Sequence, residues 1–372
     1  MDIKAFLELM VQKKASDLFI ISERAPTLKV DGALTEISNA PLTAEQTLAM
    51  VLSIMDQRQQ NEFDKTKECQ FAINVAELGR FRVSAFTQRD SAGMVLRRIE
   101  SVIPDAEDLH LPPVLKELIM QKRGLILFVG GTGTGKSTSL ASLIKYRNQN
   151  SSGHIISIED PIEYLHPHLG CIITQREVGI DTESYDVALK NTLRQAPDVI
   201  LIGEIRSRET MQNAITFAET GHLCLSTLHA NNADQALDRI LHFFPDEMRD
   251  QLLMDLSLNL KGIVAQQLIK RADGKGRYPA VEIMINTPLA KDYIRKGDIH
   301  KLKELMKNSR EQDMQTFDQA LYDLYLSEKI TYDDALNYAD SRNEVRLMIK
   351  LAAKNADAFE NEGILLAEAD DD

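Results

Sequence analysis

The chain has 372 residues and a net charge of −13, with 44% hydrophobic and 27% charged residues. That length predicts two or three domains, and the apolar runs fall far short of the ~20 residues needed to cross a bilayer. The negative balance argues against broad electrostatic capture of nucleic acid or anionic lipid. Residues 1–6 lack the basic and apolar regions of a secretion leader, so none is expected. Cys69, Cys171 and Cys224 stand singly, without a C-x-x-C pair, which fits a reducing compartment and a cytoplasmic location.

The N-terminal stretch alternates helix and strand patterns. Ile3, Phe6, Leu7, Met10 and Val11 have helical spacing; strands are expected at 18–21 and 28–30, with a turn at Asp31-Gly32. A helix begins near Thr43, and further strands are expected at 71–73, 81–86 and 94–99, which makes 1–103 a small α+β domain. Residues 104–113, rich in proline and acidic side chains, read as a linker. From 114 to 287 the pattern becomes α/β, with strands at 125–129, 154–158, 199–202 and 223–227 and helices around 234–243 and 247–268. A helical segment over 288–357 follows, with apolar stripes Phe317, Ala320, Leu321, Leu324, Tyr325 and Val345, Met348, Ile349, Ala352. The acidic tail 358–372 is expected to be disordered.

Residues 130–138 read Gly130-Gly131-Thr132-Gly133-Thr134-Gly135-Lys136-Ser137-Thr138 and follow the apolar strand 125–129. G-x-x-x-x-G-K-[ST] between a buried strand and a helix is a phosphate loop. Its glycines let backbone N–H groups curl around an anion, and the new helix adds the positive end of its dipole. Lys136 then serves the β- and γ-phosphates of ATP, and the Ser137 hydroxyl serves Mg²⁺.

Downstream, Asp198 to Glu204 form an apolar strand ending on a carboxylate, which suits a residue that holds or orients Mg²⁺, directly or through water. Between the two lies Glu159-Asp160-Pro161-Ile162-Glu163, after another strand end. Glu163 is the candidate to orient or deprotonate the attacking water, with Glu159 and Asp160 in support. His222, Cys224 and His229 do not make a zinc site, since no fourth ligand is apparent; a histidine sensing phosphate charge fits better. Arg80, Arg82, Arg97 and Arg98 are either solvated strand residues or arginines that stabilise transition-state charge in a neighbouring subunit.

With these residues in place, the chain resembles the type IV pilus retraction ATPases of the type II/IV secretion ATPase superfamily over roughly residues 1–345. The phosphate loop matches the family's Walker A, 158–164 its Asp box, 194–206 its Walker B region and 221–231 its His box. The resemblance implies a PAS-like N-terminal domain, a RecA-like P-loop α/β domain and a helical C-terminal extension. It also implies a homohexamer with ATP at subunit junctions, Glu163 as the catalytic carboxylate, Glu204 at Mg²⁺, His229 near the nucleotide, and Arg82 and Arg97 reaching it from the next subunit. The implied partners are a sister retraction ATPase and an inner-membrane platform protein. The chain would then lie peripherally at the inner-membrane base of the pilus machine, without membrane insertion or nucleic acid.

Two family motifs are altered. Leu289-Ala290-Lys291-Asp292-Tyr293-Ile294-Arg295 replaces Ala-Ile-Arg-Asn-Leu-Ile-Arg, and Asp313-Met314-Gln315-Thr316 replaces Gly-Met-Gln-Thr. These departures and the C-terminal segment favour the accessory branch of the family. The alternatives are the principal retraction motor, a nucleotide-binding ring subunit without useful turnover, and, against the charge, a nucleic-acid translocase.

Overall fold

The computed structural model describes residues 3–30, 32–99 and 102–352, so the acidic tail 358–372, the end of the helical segment 288–357 and Asp31 of the expected turn lie outside the described residues. The described chain falls into two units. The first comprises Met1–Ile103, Asp160–His166 and Gln175–Ser184; the second comprises Pro104–Glu159, Pro167–Thr174 and Tyr185–Asp372.

The first unit is built on β1 (Asp17–Ile21), β2 (Thr27–Val30), β3 (Ala33–Glu36), β4 (Glu68–Val75), β5 (Gly79–Gln88) and β6 (Ser91–Arg98). They form one sheet in the order β3-β2-β1-β6-β5-β4, with every paired neighbour antiparallel. Alternation decides which face is buried: in β5, Phe81, Val83 and Ala85 point inward while Arg82 and Ser84 alternate with them. The helices Ile3–Gln12, Ala44–Ser53 and Gln57–Thr66 supply Leu7, Met10, Met50, Val51 and Phe63 to the same core. Thr43 with Gln46 and Asp56 with Gln59 form reciprocal capping boxes that fix where two of these helices begin.

The second unit holds β7 (Gly124–Val129), β8 (Gly153–Glu159), β9 (Cys171–Glu177), whose last residues count with the first unit, β10 (Val199–Ile202), β11 (Leu223–Leu228), β12 (Leu260–Lys270) and β13 (Arg277–Ile285). Their order is β13-β12-β7-β11-β10-β8-β9. β12, β7, β11, β10 and β8 run parallel, and β13 is antiparallel to β12. Helices such as Lys136–Asn150 and Arg208–Glu219 supply the crossovers, so β7 and β10 are buried along their whole length.

The expected helix over 247–268 is only half a helix. Arg249–Asn259 is helical, and the chain then becomes β12. Pairing with β7 and β13 takes over from Leu260 onward, and at Gly262 the approach is so close that a Cβ would lie 2.9 Å from the Met284 carbonyl of β13. β9 and β13 add strands that the sequence reading lacks. Within 104–113, Ala106 and Leu111 are buried in the core of the second unit. Beyond β13, Thr287 caps Pro288–Lys296, Thr316 caps Phe317–Leu326, and Phe317, Leu321 and Val345 are fully buried.

Candidate nucleotide site

The register of the parallel strands decides where the chemistry gathers. Val129 pairs with Leu228, and Ile202 pairs with both Ser226 and Ile158. The phosphate loop, His229, Glu204 and Glu159 therefore leave the sheet at one edge, the carboxyl edge where open α/β sheets bind ligands.

At that edge the loop turns sharply. Gly130 has φ +153°, and a Cβ there would lie 2.7 Å from the Gln266 carbonyl. Gly135, with φ +86°, caps the helix Lys136–Asn150 and brings no side-chain cap. The N-terminus of that helix, the positive end of its dipole, thus opens onto the loop, where an anion is favoured. Thr134 Oγ1 donates to the Gly131 carbonyl at 3.0 Å. Lys136 is only 8% exposed, and its Nζ donates to the carbonyls of Gly130 and Gly131 at 2.7 Å each, which holds the ammonium against the loop. Gly131, Thr132, Gly133, Ser137 and Thr138 complete the constellation expected from the sequence.

Glu204 and His229 are brought together. Glu204 Oε1 lies 3.4 Å from His229 Nε2, and its Oε2 accepts from Arg206 at 2.7 Å. Thr227, which the sequence reading passed over, supports this pair: its Oγ1 donates to the Gly203 carbonyl at 2.6 Å, and its carbonyl accepts from Ile205 N at 2.9 Å. The turn carrying Glu204 is thus sewn to the strand carrying His229. Ser157 Oγ donates to Glu159 at 2.6 Å on the neighbouring strand. A cavity of ≈390 Å³ flanks the loop, lined by Leu109, Thr138, Gln266, Leu268 and Arg271 among others.

In the first unit, Glu163 shares a cavity of ≈180 Å³ with Arg82, Arg97 and Arg98. Arg82 and Arg97 are direct cross-strand partners, an unfavourable pairing of like charges unless something offsets it. Asp17 supplies that offset for Arg97, at 2.7 Å from its Nε, and is itself buried and held by Ser16 Oγ at 2.8 Å. Burial pulls the Arg82 guanidinium below its usual value, and Glu177 opposes that shift. Burial in turn pushes Glu177 up. Among the described residues, Arg82 Nε is a buried donor with no hydrogen-bond partner, which suits an anion-facing arginine.

The family model described as "Type II/IV secretion system protein" matches residues 1–328. The chain is 61% identical to the "Type IV pilus ATPase PilU" of Pseudomonas aeruginosa, covering 100% of this chain and 98% of that protein. It is 38% identical to the "Type IV pilus retractation ATPase PilT" of the same organism, covering 90% and 97%. Among solved structures, that of the pilus retraction motor PilT with bound ADP superposes with a TM-score of 0.87 at 38% identity, covering 92% of this chain and 98% of that one. A chain matched over this length, with these boxes at one sheet edge, belongs to the type II/IV secretion system protein family.

Proposed function

We infer that the chain is a type IV pilus retraction-associated ATPase, and we propose that it is a Mg²⁺-dependent accessory motor that works as a homohexameric ring. The observation that carries this is the shared sheet edge, where a buried Lys136, Glu204 and His229 emerge from adjacent parallel strands. The relative PilT was solved with ADP, which supports a nucleotide at loop 130–138.

Lys136 would set its ammonium against the β- and γ-phosphate oxygens while helix N–H groups receive the phosphates. Ser137 and Glu204 are the residues that would hold Mg²⁺, Glu204 directly or through water. The two side chains offer one hydroxyl and one carboxylate oxygen donor. So sparse an all-oxygen donor set fits an ion that keeps waters and takes oxygens from its substrate. Mg²⁺ bound there would neutralise charge on the transferring phosphoryl group. Glu163 serves as the base that orients the attacking water. Arg82 and Arg97 serve the nucleotide of the next subunit, which is why a ring is required.

Among the described residues, no helix is long and apolar enough to cross a membrane. This is compatible with a peripheral position at the inner-membrane base, where the ring would act on the platform protein. The identity of 61% to PilU against 38% to PilT supports the accessory reading, with a sister retraction ATPase as partner.

The test uses the purified full chain with ATP and Mg²⁺. Lys136→Ala should abolish ADP binding, and Glu163→Gln should keep it while slowing hydrolysis on the order of 10²-fold or more. Full turnover by Glu163→Gln would remove that residue from catalysis. In a strain whose sole retraction-type ATPase is this chain, pilus retraction should fail or be weak; normal force would overturn the accessory assignment.

A further inference from the structure

Gln266 lies one residue beyond the last pairing of β12 with β7, Ala265 with Val129, and so runs beside the start of the phosphate loop. Its side chain is buried, at 2% exposure. A buried primary amide is costly unless both ends are hydrogen-bonded. Here Nε2 donates to the Thr134 carbonyl at 2.8 Å, and Oε1 accepts from Ser139 Oγ at 2.8 Å. These two partners bracket Gly135, Lys136, Ser137 and Thr138. The Gln266 amide also fits closely, because a Cβ on Gly135 would lie 2.8 Å from Nε2.

We propose that Gln266 is a positioning residue that holds the phosphate loop in its anion-receiving shape. The peptide unit is planar and trans, so its C=O and N–H point in opposite directions. Drawing the Thr134 carbonyl toward β12 turns the Gly135 N–H away from β12, toward the inside of the loop. Ser139, whose N–H closes the first helical bond to the Gly135 carbonyl at 2.9 Å, ties the first turn of the helix to the same amide. One side chain thus links strand, loop and helix before a nucleoside di- or triphosphate arrives. Without it, the ordering of the loop falls on the binding step.

The inference rests on loop 130–138 being the nucleotide site, and its test separates the two. The probe is ADP, titrated into the full chain with Mg²⁺, alongside ATPase kinetics. Gln266→Met removes both bonds and should weaken ADP binding and raise the KM for ATP together, about tenfold, with kcat at saturation within twofold. Gln266→Glu keeps the Ser139 bond and should weaken binding similarly by setting acceptor against acceptor at Thr134. Ser139→Ala should weaken binding about threefold, and the Gln266→Met/Ser139→Ala double variant should bind no worse than Gln266→Met alone, because the two act through one contact. If Gln266→Met does not fold, Gln266→Glu and Ser139→Ala carry the test. Wild-type ADP affinity in the folded Gln266 variants, or additive losses in the double variant, would overturn the clamp. Unchanged ADP binding by Lys136→Ala would instead overturn the site itself.

Discussion

At the scale of single residues, the side chains around the site are held by partners far away in sequence. Asp17 with Arg97 is the clearest case, since the two face each other across β1 and β6. The Arg97 side chain is 61% exposed, so the ion pair contributes little to folding. Asp17→Asn should therefore change stability by no more than about 1 kcal/mol. It should still lower ATP turnover of the assembled protein toward the level of Arg97→Ala, because the guanidinium loses its anchor. Turnover equal to wild type, measured with intact oligomer, would show that Asp17 does not aim Arg97. The sequence displays Lys136, Glu163, Glu204 and His229 because each sits in a contiguous motif, whereas Arg82 and Arg97 are singled out only by the family resemblance. Asp17 and Gln266 carry no local signal, and Thr227, although inside the 221–231 box, gains its role only from tertiary pairing: these roles exist once β1 lies on β6, β11 on β10 and β12 on β7.

Among the elements, the strands that feed motifs were legible, whereas β12 and the edge strands β9 and β13 were not. β7 and β10 are unbroken apolar runs, which is what burial on both faces selects. β12 follows a helix without a break, so its apolar residues read as a continuation of helical periodicity; only pairing with β7 and β13 distinguishes the two. β13 also brings Glu282 to the start of the helix Ala233–His242, where its Oε1 accepts from Ala233 N at 2.8 Å. Burial pushes the Glu282 carboxyl up to about 7; nearby Asp340 and Asp234 add to the rise, and the Ala233 N–H and Lys303 oppose it. Asp234 is itself raised to about 6, again mainly by burial. A raised carboxyl binds its proton more tightly in the folded chain than in the unfolded one. Its contribution is therefore fully present below about pH 4.5 and is lost as pH rises toward and through 7. Glu282→Gln, which keeps an acceptor for Ala233 N, should gain stability relative to wild type by roughly 3 kcal/mol between pH 5 and pH 8. Parallel denaturation curves at the two pH values, with no relative gain, would show that the buried group does not titrate in this window.

Considered as a whole, the chain does not divide at a single point. The first unit takes Asp160–His166 and Gln175–Ser184 from a part of the sequence that otherwise builds the second. Ile162 is 1% exposed, its N–H reaches Glu177, and a cavity of ≈390 Å³ is lined jointly by Cys69, Phe71, Arg82, Asp160 and Glu177. A fragment ending at residue 103 leaves one side of that surface uncovered. Expressed alone, 1–103 should melt several degrees below the corresponding transition of the full chain, followed by circular dichroism. Equal midpoints would mean that the excursions add nothing to its stability.

The same threading constrains how such a protein can be recombined. A hybrid that takes its N-terminal part from one family member and the remainder from another, joined at 103/104, would keep its reading frame and still mismatch the two excursions. A working exchange must move 160–166 and 175–184 together with 1–103. The unit of inheritance in this fold is therefore a discontinuous set of segments, and Glu163, which lies in one of them, travels with the arginines and not with the phosphate loop.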